Sequence, residues 1–411
     1  MTQPITAPAG RLDHLDALRG FALLGIALMN VEFFTAPLTD IGQGVGAGQG
    51  TLDTIADWLV YVLVQGKFWG LFSLMFGMGF VLMLDRARAA GAPFVPIYLR
   101  RCLGLLAIGL AHAFLVWAGD ILVSYALGAL VLLVLFRNVG AEAMLAWGIA
   151  LWVLPVGMYV MAGAAMVPAG PEELASYELV PAYMESLRAQ EVAAYSAGSW
   201  TEATAARAEF LHRMLPNELI LLPMLLGVFL IGGWLVRSGV VLDPQAHRAR
   251  LLSLAAAGYV VGGLLTAGSL QLTASPVLEG EAAGEAVLAA GLHLAGGLPL
   301  ALAYAATFLL LASRGGALPR VLAPAGRMAL THYLLQSLVG TWLFYGHGLG
   351  LWGEVGRAGQ VLGVLVFFAL QVAASHWWLR RYRQGPFEWA WRAFTHGHWP
   401  PLRRGALAGG A

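Results

Sequence analysis

Apolar runs of about twenty residues recur along this chain, and they leave it few ways to fold. Inside a bilayer no water satisfies stray peptide groups, so only helices and closed barrels cross it. A barrel strand needs roughly ten residues, whereas a helix needs about twenty to cross some 30 Å of hydrocarbon. The runs lie near residues 17–36, 67–84, 97–117, 120–136, 143–166, 217–237, 250–270, 287–312, 322–344 and 359–379. They predict an all-α polytopic membrane protein of about ten transmembrane helices, with residues 1–411 forming a single transmembrane domain. Composition closes off the alternative. With 59% of residues hydrophobic and 11% charged, against about 25% charged in a soluble domain, the chain cannot cover a soluble core of this size.

The net charge of +1 offers nucleic acid no basic surface, and no nucleic-acid partner is expected. One cysteine, Cys102, excludes an internal disulfide and a cysteine-built metal site; its apolar neighbours mark it as a small buried hydrophobe. Residues 1–16 carry Arg11, Asp13, His14 and Asp16 ahead of an apolar run too long for a cleavable signal. The Gly-rich stretch 42–50 follows a span, not a strand, and reads as a flexible outer loop. Walker, HExxH and GxSxG motifs are all missing.

Basic groups gather on one side of the spans. Arg19, Arg86, Arg88, Arg100, Arg101, Arg137, Arg237, Arg248, Arg250, Arg314 and Arg320 share it with the arginine-rich tail, while the opposite loops hold Asp40, Asp53, Asp120, Glu279, Glu281, Glu285 and Glu354. The positive-inside rule then places both termini in the cytoplasm, as an even number of spans requires. The arginine-heavy composition, with Lys67 the one lysine among 24 basic residues, suits a GC-rich bacterial genome and an inner-membrane location. Residues 51–66 predict an amphipathic approach helix with Asp53 and Asp57 on its polar side, and Lys67 reads as a snorkelling anchor. The outer loop 167–216, which includes Glu172 and Arg207, has room for two short helices over the membrane face. These either cap a cavity or simply connect two spans. Residues 386–399 alternate Phe387, Trp389, Trp391, Phe394 and Trp399 with Glu388 and Arg392, which predicts an interfacial helix.

Ionisable groups at membrane depth cost a few kcal/mol each and mark working sites. The densest set lies between 97 and 136, where Arg100 and Arg101 precede His112 and Gly119-Asp120 turns the chain into the next span. Along a helix, His112 stands roughly 16 Å from Arg101, a length that suits a donor with phosphates at the arginines and an acyl group at the imidazole. A neutral histidine can accept a proton from an incoming hydroxyl or amine, and Asp120 is placed to orient it. The plainer alternative stays open: His112 bonds a neighbouring helix, Asp120 caps the next one, and the arginines set topology. Asp16 and Arg19 share a helix face, and Asn30 and Glu32 follow at the far end of that span. In span nine Arg327, His332 and Gln336 either line the same cavity or tie helices together.

Arg11-Leu12-Asp13-His14-Leu15-Asp16-Ala17-Leu18-Arg19-Gly20, His112 with Gly119-Asp120-Ile121-Leu122, Gly326-Arg327-Met328-Ala329-Leu330-Thr331 and Gly385-Pro386-Phe387-Glu388-Trp389-Ala390-Trp391-Arg392 occur in that order. Together they resemble the bacterial YeiB-like membrane family, a domain of unknown function, over nearly the whole chain. The Asp-x-x-Arg-Gly motif is similar to that of membrane-bound heparan-glucosaminide N-acetyltransferases and, more loosely, of acyltransferase-3 proteins. The latter also place a histidine after an arginine with ten residues between, as Arg101 and His112 do here. The glucosaminide enzymes use a histidine between their first two conserved spans; this chain has none between His14 and His112.

The resemblance implies a transmembrane acyltransferase. His112 and Asp120 would be catalytic, and Arg19, Arg100 and Arg101 would bind a cytoplasmic acyl-CoA co-substrate, most simply acetyl-CoA. Asp16, Asn30, Arg327, His332 and Gln336 would line the cavity. No metal or permanently bound cofactor is expected. Partners would be the lipid bilayer, the acyl-CoA donor, a glycan, lipid or small-molecule acceptor at the outer side, and a second copy of the chain in a homodimer. The competing expectation is a transporter of a small anionic or zwitterionic solute, with the same residues relaying protons.

Overall fold

The computed structural model describes residues 12–40, 44–46, 49–168, 170, 173, 183–275 and 282–404. Arg11, Glu172, Glu279, Glu281 and part of the stretch 42–50 lie outside them. Long apolar runs become helices: α1 (Asp13–Asn30), α2 (Thr51–Leu63), α3 (Lys67–Ala89), α4 (Phe94–Leu115), α5 (Leu122–Val131) and α6 (Ala141–Met166). There follow α7 (Tyr183–Ser196), α8 (Trp200–Arg237), α9 (Arg248–Leu272) and α10 (Ala283–Ala312). The last four are α11 (Ala317–Gly326), α12 (Ala329–Phe344), α13 (Arg357–Arg381) and α14 (Pro386–His396). Among the described residues, extended pairing is confined to one isolated bridge between Tyr382 and Arg403.

Among the described residues, seven segments are long and apolar enough to cross a membrane: α2 and α3 taken together, α4, α6, the Leu219–Arg237 part of α8, α9, α10 and α13. Three of the ten expected spans fall short, each for a local reason. The 18 residues of α1 include Asp13, Asp16 and Arg19. Only ten residues make up α5, followed by a π-helical turn, Leu132–Phe136. The run 322–344 breaks at Arg327–Met328 into α11 and α12. Gly326 lies so close to α1 there that a Cβ would collide with the Asp16 carbonyl.

Burial sorts the helices into an inner and an outer set. In the spans of α6, α9 and α13 only 17%, 28% and 22% of the apolar window is covered by protein. Those helices present their remaining faces outward, as lipid contact requires. The inner set is α3 and the span part of α8, each 67% covered in its window, together with α1 and α12, whose buried residues run along most of their lengths. The short, polar helices therefore sit where other helices surround them.

The segment 167–216 departs from its expected form. Its described part holds one separate helix, α7, and a continuation of α8 starting at Trp200, which Ser199 and Glu202 close with a capping box. Together they cover the α4–α5 turn with a second apolar core that includes Phe33, Phe34, Trp117, Leu187, Tyr195, Phe210 and Tyr345. Asp53 and Asp57 also differ from a solvated polar face. Asp57 is buried and accepts from the Gly46 N–H at 2.9 Å, and Asp53 accepts from the Ala358 N–H at 2.8 Å at the start of α13.

Candidate functional site

A six-residue link joins α4 to α5 and folds residue 120 back against residue 112. His112 Nδ1 lies 2.6 Å from Asp120 Oδ2, with the two side chains 2% and 1% exposed. The other carboxylate oxygen accepts the Val123 N–H at 2.9 Å, so Asp120 caps α5 and holds the imidazole at once. The approach depends on Gly109, where a Cβ would stand 2.8 Å from Val123 N and 3.1 Å from Asp120 Oδ1. Tyr333 of α12 closes the other side: its hydroxyl accepts the Ile121 N–H at 3.2 Å, and its ring lies 5.3 Å from that of His112.

His112 Nε2 is buried and has no hydrogen-bond partner among the described residues. With a carboxylate accepting at Nδ1, the imidazole carries its proton there and turns a lone pair outward at Nε2. That is the tautomer a general base or nucleophile needs.

The end of α4 beside this pair is fastened from above. Arg207, fully buried, donates from Nε to the Phe114 carbonyl at 2.8 Å and from Nη2 to the Leu115 carbonyl at 3.3 Å. A cation on the last carbonyls of a helix suits both its unpaired acceptors and its dipole. Glu191 of α7, also fully buried, accepts the N–H groups of Leu38 and Thr39 at 3.3 and 3.1 Å. Burial pushes its carboxyl up to about 7 against the opposing pull of those hydrogen bonds.

At the other end of α4 two of the three expected donor residues, Arg19 and Arg101, come near each other. Arg100 is exposed, and the Arg101 guanidinium stacks over the Trp391 ring, 3.8 Å from its centroid. The Trp391 indole N–H donates to the Arg101 carbonyl at 2.8 Å. Arg19 pairs with Asp16 at 2.9 Å and remains one-third exposed, and both Arg19 and Arg392 act on Arg101 as like charges. Thus α14 is docked on the bundle and does more than rest in the interface. Glu388 accepts from the Thr331 N–H and hydroxyl at 3.0 and 2.5 Å, while Phe387, Phe394 and Trp399 stay exposed.

The remaining expected residues are dispersed. Asn30 is buried at the end of α1. Arg327 donates to the Arg383 carbonyl at 3.1 Å. His332 Nε2 meets Ser375 Oγ at 2.5 Å, and Gln336 donates to Gln371 at 2.9 Å, so both link α12 to α13. A cavity of about 360 Å³ lies beside the π-helical turn, but its lining of Leu135, Phe136, Val139, Trp147, Leu151 and Leu226 holds no titratable group.

Sequence reasoning passed over two buried cations. Lys67 does not snorkel; it is 0% exposed and lies 3.1 Å from His293 Nε2. Arg357, 5% exposed, pairs with Glu32 at 2.8 Å and Asp57 at 3.3 Å, joining α13 to the end of α1 and to α2. A lone lysine at a helix start and an arginine beside a loop both look like surface groups, and only distant partners reveal otherwise.

No solved structure matches the chain. Residues 235–398 match the family described as "Protein of unknown function (DUF418)". The chain is 33% identical to "Uncharacterized protein YxaH" of Bacillus subtilis (strain 168), over 96% of each chain. It belongs to the DUF418 family. A second relative is "Uncharacterized protein YeiB" of Escherichia coli (strain K12), 30% identical over 93% of this chain and 95% of the relative. The DUF418 match itself begins near the end of α8 and takes in α9 to α13 and α14. His112 and Asp120 precede it, within the length shared with both relatives.

Proposed function

We propose that this DUF418 protein is a transmembrane acyltransferase of the bacterial inner membrane, crossing it about ten times with both termini in the cytoplasm. One observation carries the reading: a buried imidazole fixed by a carboxylate at Nδ1, at 2.6 Å, with Nε2 unpartnered. The arginines at the far end of the same helix support it, because α4 runs unbroken from Phe94 to Leu115 and keeps them about 16 Å away. An acyl-CoA donor would bind from the cytoplasm with its phosphates at Arg19, Arg100 and Arg101. His112 would take the proton from an acceptor hydroxyl or amine as that group attacks the thioester carbonyl. The C–S bond would then break, and the imidazolium would return its proton to the departing thiolate. Alternatively Nε2 would attack the thioester carbonyl and expel the thiolate, and the acceptor would then take the acyl group from Nε2 while its proton passes to the thiolate. Asp120 stabilises the imidazolium in the first route and keeps Nε2 nucleophilic in the second. The acceptor belongs to an outward-facing glycan, lipid headgroup or small metabolite.

Calorimetric titration of acetyl-CoA into the full-length protein in detergent tests the donor site. Saturable binding weakened at least about tenfold by Arg101→Ala, a loss of 1.4 kcal/mol, is the expected result. No heat at any acetyl-CoA concentration overturns the reading. A proton-coupled transporter of a small anionic or zwitterionic solute is the second reading, and the Lys67–His293 pair, a separate buried ionisable centre, favours it.

A further inference from the structure

Lys67 opens α3, directly after Gly66, whose φ of +74° lies in the left-handed region that glycine reaches without strain. That turn drives the lysine inward. Its Nζ donates to the Tyr61 carbonyl at 3.1 Å and lies 3.1 Å from His293 Nε2. The His293 ring stacks on Tyr61 at 4.3 Å between centroids, which fixes the imidazole. No carboxylate among the described residues pairs with Lys67. Among the described residues the other buried cations, Arg357 and Arg207, are held by Glu32 with Asp57 and by the end of α4, whereas Lys67 has one carbonyl, that of Tyr61 in the last turn of α2, and no acid. Lys67 also stands at the positive end of the α3 dipole, the wrong end for a cation. A buried amine so placed has no acid partner among the described residues.

One turn of α10 gathers the rest of the site. His293 meets Lys67. A Cβ at Gly296 would stand 2.9 Å from Thr266 Oγ1 of α9, and one at Gly297 would stand 3.3 Å from the Gly66 carbonyl. Thr266 and Lys67 therefore approach the same stretch of α10 from two sides. One polar atom there is buried and without a hydrogen-bond partner among the described residues, Thr266 Oγ1. A helical hydroxyl ordinarily bonds the carbonyl four residues back, as Ser73 and Thr341 do in this chain. Thr266, 4% exposed, does not.

We propose that Lys67, His293 and Thr266 form a binding site for a small carboxylate anion between α3, α9 and α10. Lys67 supplies the opposite charge, His293 accepts from its Nζ and orients it, and the Thr266 hydroxyl donates to the second carboxylate oxygen. One cation matches one negative charge, and the close helix approach at Gly296 and Gly297 favours a planar anion over a phosphate. The site shares no residue with the His112–Asp120 pair and stands whether or not acyl transfer occurs there.

The test uses the full-length protein in lipid nanodiscs, titrated with sodium acetate against sodium chloride at equal ionic strength, with thermal unfolding as the readout. The expected result is a saturable rise in unfolding temperature with acetate alone. Lys67→Met abolishes it, and Thr266→Val weakens the apparent Kd about tenfold. Should Lys67→Met fail to fold, Thr266→Val and His293→Gln decide the matter. Equal response to chloride, no saturation by acetate, or unchanged acetate affinity in the folded variants overturns the proposal.

Discussion

His112 and His332 are both buried in helices, and their partners set them apart. His112 faces a carboxylate at 2.6 Å and leaves Nε2 unpartnered. His332 faces the Ser375 hydroxyl, which itself donates to the Gln371 carbonyl, and Gln371 donates in turn to the His332 carbonyl. The second arrangement is a polar seam between α12 and α13, of the kind that joins helices where lipid offers no hydrophobic drive. The first holds a charge-capable pair in a position where simple adhesion needs none. Both rings keep one buried nitrogen unpartnered, so neither depth nor an idle nitrogen marks a working histidine; the carboxylate at Nδ1 of His112 does.

Asp120→Asn breaks the comparison most sharply. Asparagine still caps α5, so the unfolding temperature stays near wild type. It cannot stabilise an imidazolium, and acyl transfer falls on the order of 100-fold; single-turnover release of coenzyme A measures it. On the seam, Gln336→Leu or Ser375→Ala costs about 1 kcal/mol of stability, read as lower thermal stability in detergent, with turnover within about twofold. A rate loss there as large as in Asp120→Asn would erase the distinction between the two histidines.

A smaller effect comes from the covering above the pair. The Glu191 carboxyl is raised from 4.5 to about 7 by burial, so folding favours its protonated form. Its contribution is complete below pH 4.5 and fades as pH rises through 7. Hydrogen exchange in α7, corrected for intrinsic rates, should slow between pH 8 and pH 6. Glu191→Gln should remove that dependence.

Much of the fold was legible because apolar length is a local property, and the α4–α5 pair was legible because eight residues separate its members. The contact between the Asp16–Gly20 and Gly326–Thr331 motifs could be suspected from their glycines, whose missing side chains let α1 and α11 touch. The break at Arg327 was masked by the continuous hydrophobicity of 322–344. Lys67 with His293 and Arg357 with Glu32 join residues 226 and 325 positions apart. No periodicity links them, and each residue alone has the appearance of a membrane-edge charge. The extension of α8 through Pro216 was hidden because a proline reads as a helix stop, and here the helix runs through it.

The central claim is that His112 does chemistry through Nε2. It is tested most directly by incubating acetyl-CoA with full-length wild type and His112→Ala and measuring free thiol over time. The account predicts coenzyme A release by the wild type, with water taking the acetyl group as acetate, and a loss of about 1,000-fold in a His112→Ala protein that still folds and binds acetyl-CoA. Equal release by both proteins would contradict it and leave His112 and Asp120 as a structural fastening of α4 to α5.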